Sequence, residues 1–211
     1  MKTDLFIYRY FKPGIDPLKT ISDLPDDEIV AFMKKNFPDH KWFHADPKKR
    51  ISTRRRVEKW LHEKFTASGG EPKTKHPCYF TLGECSFLKE RYGFDKPHAE
   101  LKIPLTSFSS GNISFTYPDS FFSEHLHENK DHPLYNEELN GKVFTLDEVL
   151  NLLAQNKIPR NTEMDTSFGY KYPFYIEAQV WDYGILDKPW TLVPQQSTGD
   201  LNLQNFLLKH S

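Results

Sequence analysis

Glu177 is a carboxylate within an aromatic and branched segment, Tyr175-Ile176-Glu177-Ala178-Gln179-Val180-Trp181. If this segment is a strand, Glu177 and Gln179 share one face with Trp181, and the apolar residues between them occupy the other. A polar stripe ordinarily faces solvent, which favours a half-exposed strand. The alternative is a cleft whose aromatic rings stack on a ligand. Arg9, between two tyrosines of the first predicted strand, has the same ambiguity, because it could stack on its neighbours or contact a ligand.

Six basic residues precede or begin the second predicted helix: Lys48, Lys49, Arg50, Arg54, Arg55 and Arg56. Such a run could hold the phosphates of a nucleic acid or a nucleotide. Positive charge at a helix N-terminus opposes the helix dipole, so the run is expected to have a partner, and residues 23–28 of the same chain are an acidic candidate. The whole chain has a net charge of -1, which gives no general attraction to polyanions.

Three histidines, His125, His127 and His132, lie near Asp119 and Glu124. Imidazoles and carboxylates are ligands of Zn and Mn. Their spacing defines no coordination pattern, however, and the surrounding residues are typical of a loop. A solvated polar segment is therefore the favoured interpretation, and no metal is predicted.

The chain has two cysteines, Cys78 and Cys85, too few for the disulfide framework of a secreted protein. We expect reduced thiols in small apolar sites. His76 would share a strand face with Cys78, but the pattern of a thiol protease is missing. The sequence also lacks a phosphate-binding loop, a nucleophile elbow and a dinucleotide fingerprint.

The periodicity of apolar residues predicts three principal helices. The first is capped by Ser22 or Asp23 and ends by Pro38, and the second is capped by Ser52 and ended by Gly69-Gly70. The third begins at a capping box formed by Thr145 and Glu148 and continues to Asn156. A short helix is expected at 86–92, and strands at about 4–11, 77–82, 99–105, 112–117 and 174–181.

These elements predict an α+β fold: a mainly antiparallel, twisted sheet of five or six strands with about three packed helices. We expect a single domain, residues 1–211, with a core built from rings, since the chain has 17 Phe, 10 Tyr and 4 Trp. Residues 118–141 are predicted to be a long polar surface loop, followed much later by an irregular C-terminal tail. Without a signal-peptide pattern or a long apolar run, we expect a cytoplasmic protein with no membrane contact.

Three blocks of sequence resemble an uncharacterised family of bacterial proteins, a domain of unknown function: Gly69-Gly70 through His76-Pro77-Cys78-Tyr79 to Leu82-Gly83-Glu84, Ile113 through Tyr117 to Asp119-Ser120, and Tyr175 to Trp181. The resemblance covers residues 54 to 181, over half of the chain. It implies a bacterial or phage origin and carries no activity.

The order of Arg9, Ser114 or Thr116, and Glu177 is similar to that of the ADP-ribosyltransferase superfamily, which places an Arg on the first strand, a Ser or Thr on a middle strand and a Glu on a late strand. The resemblance implies that Arg9 pairs with the NAD pyrophosphate, that the hydroxyl positions the nicotinamide ribose and that Glu177 stabilises an oxocarbenium-like centre. Tyr117 is assigned with Arg9 to cofactor binding. The order Glu-Ala-Gln departs from the Gln-or-Glu, any residue, Glu motif of the arginine-modifying branch.

Two hypotheses from different classes follow. In the first, the protein is an enzyme that uses a nucleotide, with NAD as the best single choice, and Arg9, Ser114, Thr116 and Glu177 surround one cleft. In the second, it is a non-catalytic binding or protein-interaction module, in a phage or host-defence context, whose contact surfaces are the basic run and residues 118–141.

Overall fold

A computed structural model describes residues 5–85, 88, 99–159, 174–186 and 191–194. Its centre is one six-stranded sheet in the order β4-β5-β2-β1-β3-β6, and every neighbouring pair is antiparallel. The strands are β1 Phe6–Phe11, β2 Cys78–Leu82, β3 Ala99–Pro104, β4 Ile113–Thr116, β5 Glu177–Val180 and β6 Thr191–Pro194. The predicted α+β class and antiparallel sheet are therefore confirmed.

Among the residues that the structure describes, five helices accompany the sheet: α1 Asp26–Asn36, α2 Lys41–Ala45, α3 Pro47–Ala67, α4 Ser120–Glu128 and α5 Leu146–Ala154. The three predicted helices correspond to α1, α3 and α5, and the capping box at Thr145 and Glu148 is present. Sequence periodicity missed the five-residue α2 because it is too short to show a repeated apolar stripe, and it missed α4 because the buried side of that helix is largely polar. The predicted helix at 86–92 lies almost wholly outside the described residues.

Two predicted helix starts are wrong. Ser22 and Asp23 belong to a separate 3-10 turn, Ile21–Asp23, which Thr20 caps, and α1 begins only after Pro25. The α3 helix starts at Pro47, because the Asp46 carboxylate accepts a hydrogen bond from the Lys49 amide at 3.1 Å. Ser52 thus lies inside α3, whose end before Gly69-Gly70 is as predicted.

The loop prediction for residues 118–141 is wrong over Ser120–Glu128, which form α4. Asp119 caps this helix by accepting a hydrogen bond from the Phe122 amide. The buried side of α4 consists of Ser120, Ser123, Glu124 and Leu126. Three of these four residues are polar, so the apolar periodicity that reveals a helix is weak.

The C-terminal tail was also predicted to be irregular, yet residues 191–194 form the edge strand β6. They pair with β3 in the register Ala99↔Pro194 to Lys102↔Thr191. A four-residue segment that ends in proline gives little strand signal by itself, and pairing with the free edge of β3 determines its conformation.

The two faces of the sheet differ in chemistry. On the apolar face, Ile7 lies opposite Leu82 and Ile103, and Phe80 lies opposite Ala178. These residues belong to the largest hydrophobic cluster, to which α5 contributes its buried side chains. The apolar face therefore supplies most of the hydrophobic stabilisation of the fold.

On the polar face, Thr81 lies opposite Glu177, which in turn lies opposite Thr116. Helices α3 and α4 cover this face and pack on it through a small apolar cluster of Val57, Leu61, Phe65, Val143 and Trp181. A third cluster joins α1 and α2 to the start of α3. Within the described residues, no helix has the length and apolar character needed to cross a bilayer.

Candidate active site

The polar face is buried where β5 lies between β2 and β4. Every residue of β5 is buried, so the half-exposed strand expected from the sequence is wrong. The predicted alternation is correct, because Glu177 and Gln179 face the helices with Trp181 while Ala178 belongs to the apolar core. The sequence pattern of this polar stripe is typical of a solvent-facing strand. Because α3 and α4 cover it, the stripe is an interior surface.

A continuous chain of hydrogen bonds crosses this interior surface. Trp181 Nε1 donates to Ser114 Oγ at 2.8 Å, and Ser114 Oγ donates to Gln179 Oε1 at 2.9 Å. Gln179 Nε2 then donates to Thr116 Oγ1 at 3.1 Å and to Glu177 Oε1 at 3.0 Å. Because all five side chains are buried, the hydrogen bonds compensate for the water that their polar groups have lost.

The Glu177 carboxyl lies at the end of that chain, beside the N-terminus of α4. Burial, followed by the nearby negative charge of Asp119, raises its pKa to about 7, although hydrogen bonds from Ser120 and Gln179 favour the ionised form. Within the described residues, no cation forms an ion pair with Glu177. A carboxyl that is about half ionised at neutral pH can both hold a proton and provide a negative charge.

An aromatic cluster lies at the end of β4, where Tyr117 packs against the large apolar cluster. Half-buried Tyr117 follows the last residue of β4, and its ring is 6.1 Å from that of Phe174, which is 5.7 Å from the ring of Phe122. Burial raises the pKa of Tyr117 to about 12, which keeps this phenol neutral. His125 stacks on the ring of Phe122. Planar rings that are partly open to solvent can bind a flat ligand by stacking.

On the polar face, the residues that lie opposite one another from Glu177 continue across β2 and β1 to β3. Thr81 lies opposite Tyr8 of β1, and Tyr8 lies opposite Lys102 of β3. The Lys102 ammonium is 4.0 Å from the centre of the Phe6 ring and 5.5 Å from that of Tyr8. Within the described residues, Lys102 forms no ion pair. A half-exposed positive charge thus lies on the same face as Glu177, above β1 and roughly two strand spacings, about 10 Å, from β5.

A second buried carboxylate network involves Glu58 of α3. Glu58 Oε1 accepts hydrogen bonds from Ser22 Oγ at 2.7 Å and Tyr79 OH at 3.2 Å, and Arg54 Nε lies 3.0 Å away. Glu58 Oε2 is 2.7 Å from His76 Nδ1. Sequence reasoning missed this network. The spacing of Arg54 and Glu58, four residues apart on one helix, was the available signal.

The structure brings together three of the four predicted catalytic residues. Ser114, Thr116 and Glu177 belong to one hydrogen-bonded network, whereas Tyr117 of the predicted cofactor site follows Thr116 in the chain and packs against the large apolar cluster. Arg9 points to the opposite, apolar face, where its guanidinium contacts the Cys78 thiol and donates to the Lys19 carbonyl at 3.0 Å. The cause is strand alternation, since Tyr8 and not Arg9 faces the side of Glu177.

Three arginines of the predicted basic surface form ion pairs within the chain. Arg54 pairs with Glu58, and Arg55 pairs with Asp26 at 2.5 Å. Arg56 contacts Glu124 and Glu128 of α4. The expected pairing with the acidic segment at 23–28 is thus confirmed for Arg55. Exposed Lys48 and Lys49 remain at the surface beside Asp26 and Asp27, and the prediction of nucleic-acid binding has no support from the three arginines.

The remaining predicted groups do not form a metal or thiol site. Within the described part of the chain, no three His, Cys, Asp or Glu side chains are placed to hold a metal ion. The His127 ring packs on Gly141, where a Cβ atom would lie 2.3 Å from His127 Cγ. Cys78 and Cys85 are buried free thiols, and His76 contacts Glu58, which leaves Cys78 without a catalytic partner.

Comparisons of the chain with protein-family models, with curated proteins and with solved structures each returned no match. No family is therefore assigned, and function has to be inferred from the geometry of the polar face.

Proposed function

We propose that the protein is an enzyme that acts on a nucleotide-type substrate, with NAD as the first substrate to test, and that Glu177 is its catalytic carboxyl. The observation that carries this proposal is a buried carboxyl with a pKa of about 7 and no ion-pair partner among the described residues, at the end of a network of hydrogen-bonded side chains. Strongly perturbed groups of this kind concentrate at functional sites.

The chemistry of Glu177 suits cleavage of a glycosidic bond to nitrogen. When nicotinamide leaves with the bonding electron pair, positive charge develops at the ribose carbon, and a fixed carboxylate next to that carbon stabilises it until the oxygen of a water molecule bonds to the carbon and releases a proton. The order of a Ser or Thr on a middle strand and a Glu on a late strand, which resembles the ADP-ribosyltransferases, agrees with this role. Thr116 and Ser114 act through Gln179 to hold the carboxyl.

The neighbouring side chains offer contacts for the rest of such a substrate. The rings of Tyr117, Phe122 and Phe174 can stack on the nicotinamide or on a base. Lys102, an ammonium that no described carboxylate neutralises, is placed to contact phosphate oxygens on the same face. This assignment replaces Arg9, whose guanidinium is engaged on the other side of the sheet.

The first experiment is a thermal-shift screen of the purified protein against NAD, other nucleotides, divalent metals and short nucleic acids, because a ligand that prefers the folded state raises the unfolding midpoint. We expect NAD to raise it. Release of nicotinamide from NAD is then measured for the wild type and for Glu177→Gln, which we expect to lose about 100-fold or more in rate.

The matched control is Glu138→Gln, which alters an exposed glutamate paired with Lys157 and should leave the rate unchanged. Equal nicotinamide release by the wild type and Glu177→Gln would refute the catalytic role. If no nucleotide shifts the midpoint, the substrate assignment fails and a non-catalytic interaction module becomes the better hypothesis.

A further inference from the structure

The hydrogen-bond chain that ends at Glu177 has a direction that its chemistry determines. An indole N–H can only donate, so Ser114 Oγ must accept from Trp181. The single hydroxyl hydrogen of Ser114 is donated to Gln179 Oε1 at 2.9 Å, so the amide oxygen of Gln179 faces Ser114. The amide nitrogen therefore faces Glu177 and Thr116.

Two other groups in the network, Thr116 and Ser120, do not set this direction. The Thr116 hydroxyl can donate or accept, so it tolerates either orientation of the Gln179 amide. The Ser120 amide donates to Glu177 Oε1 from the backbone, at 3.3 Å, and does not contact Gln179 in this network. Trp181 is held in place by packing, because its ring is fully buried and lies 6.0 Å from the stacked ring of Phe65.

We propose that Trp181 and Ser114 are positioning residues that fix the orientation of the Gln179 amide, so that Glu177 Oε1 faces a donor N–H and not a carbonyl oxygen. The inference rests on the proposed function only in taking Glu177 as the catalytic carboxyl. Its physical content concerns the ionisation of that carboxyl and holds whatever the substrate is.

The reversed amide would have a clear consequence. It would place the Gln179 oxygen 3.0 Å from a carboxylate oxygen, where two acceptors repel each other. Protonated Glu177 could relieve this contact by donating its own hydrogen to the amide oxygen. Loss of the directing indole or hydroxyl thus favours the neutral carboxyl, which cannot stabilise positive charge on a substrate.

The test uses Ser114→Ala, which removes the connecting hydroxyl, and Trp181→Phe, which removes the indole donor but keeps a ring against Phe65. Thr116→Val is the matched control, because it removes a hydrogen bond of the same amide without removing the directing groups. The pKa of Glu177 is measured in the full chain by carbon NMR of labelled carboxyl groups, and the rate of nicotinamide release is measured from pH 5 to 9.

We expect Ser114→Ala and Trp181→Phe to move the titration midpoint of Glu177 upward by about one pH unit, and Thr116→Val to move it by a few tenths at most. A shift of that size lowers the ionised fraction at pH 7 from about half to about one tenth, so the rate should fall about fivefold at pH 7 and recover near pH 9.

Unchanged midpoints in Ser114→Ala would overturn the inference, as would an equal loss of rate at every pH, since a purely structural role predicts the latter. If Trp181→Phe does not fold, Ser114→Ala alone tests the positioning role. If the NMR midpoint moves but even the wild type releases no nicotinamide, the positioning role stands and the proposed function fails. The two inferences can therefore fail separately.

Discussion

Glu58 and Glu177 are both buried on the polar side of the sheet, and their surroundings differ in one decisive way. Glu58 is 0% exposed and lies against the cationic side chain of Arg54 and the imidazole of His76, with two hydroxyl donors besides. Glu177 is 6% exposed and accepts hydrogen bonds from the Gln179 amide and the Ser120 backbone, with Asp119 adding negative charge. A carboxyl group of the same type thus faces a cationic side chain at position 58 and has no counter-charge among the described residues at position 177.

The difference separates a carboxylate that is compensated within the fold from the one proposed to be catalytic. Glu58 ties together the turn at Ser22, helix α3 and strand β2, and its lone pairs are used by groups that would otherwise be buried without partners. Glu177 lacks that compensation, so the fold carries a free-energy cost at neutral pH. Such a cost is expected where a group is kept ready for a ligand.

The largest effect is expected for Glu58→Gln. This substitution keeps the shape but removes the negative charge that Arg54 and His76 face, and we expect the free energy of unfolding to fall by about 3 kcal/mol. Urea denaturation at pH 7 measures it. Glu63→Gln, at an exposed position of the same helix, is the control and should be nearly neutral. A loss below about 1 kcal/mol would mean that the Glu58 network is dispensable.

The same substitution at Glu177 should have the opposite sign. The folded carboxyl keeps its proton up to about pH 7, whereas the unfolded one loses it near its ordinary value of 4.5. The wild type therefore loses stability as pH rises from 4.5 to 7, by about 3 kcal/mol in total, and Glu177→Gln escapes this loss. We expect the variant to be close to the wild type at pH 5 and more stable at pH 8, and denaturation curves at both values would show it. A less stable variant at pH 8 would contradict the distinction.

A smaller effect sharpens the role of Glu58. Burial raises the pKa of Tyr79 well above its ordinary value, so its phenol remains a neutral donor to Glu58. Tyr79→Phe should cost about 1 kcal/mol, the usual value of one buried hydrogen bond. In combination with Glu58→Gln, the losses should be less than additive, because both changes remove the same contact. Additive losses would show that Tyr79 stabilises the protein independently of Glu58.

The smallest effect is expected for Arg55→Ala. Arg55 is next to Arg54 in the chain, but its pair with Asp26 is solvent-exposed on both sides, with side-chain exposures of 39% and 61%. Solvent screening limits such a pair to about 0.5 kcal/mol or less. Thermal unfolding at low and high salt would measure it, and a loss comparable with that of Glu58→Gln would remove the contrast between buried and exposed pairs of this helix.

The sequence predicted the strands and the alternation of β5 because both depend on local residue order. Periodicity could not reveal that Glu177 is buried, since its cover comes from α3 and α4, and α4 shows a largely polar inner side. The orientation of Arg9 was likewise unpredictable from residue order in the chain. The polar face was identified only when pairing showed that Tyr8, and not Arg9, lies opposite Thr81.

The strand order has a consequence for how the protein is made. Strand β5 is inserted between β2 and β4, although both precede it in the chain by long intervals. During synthesis, the edges of β2 and β4 that later pair with β5 remain unpaired. Their pairing with β5 is slow because it joins residues that are far apart in the chain. Insertion of β5 joins β4 to the rest of the sheet and brings Glu177 to its hydrogen-bond partners in the same event. A chain that ends before β5 therefore lacks both the link between β2 and β4 and the buried network around Glu177.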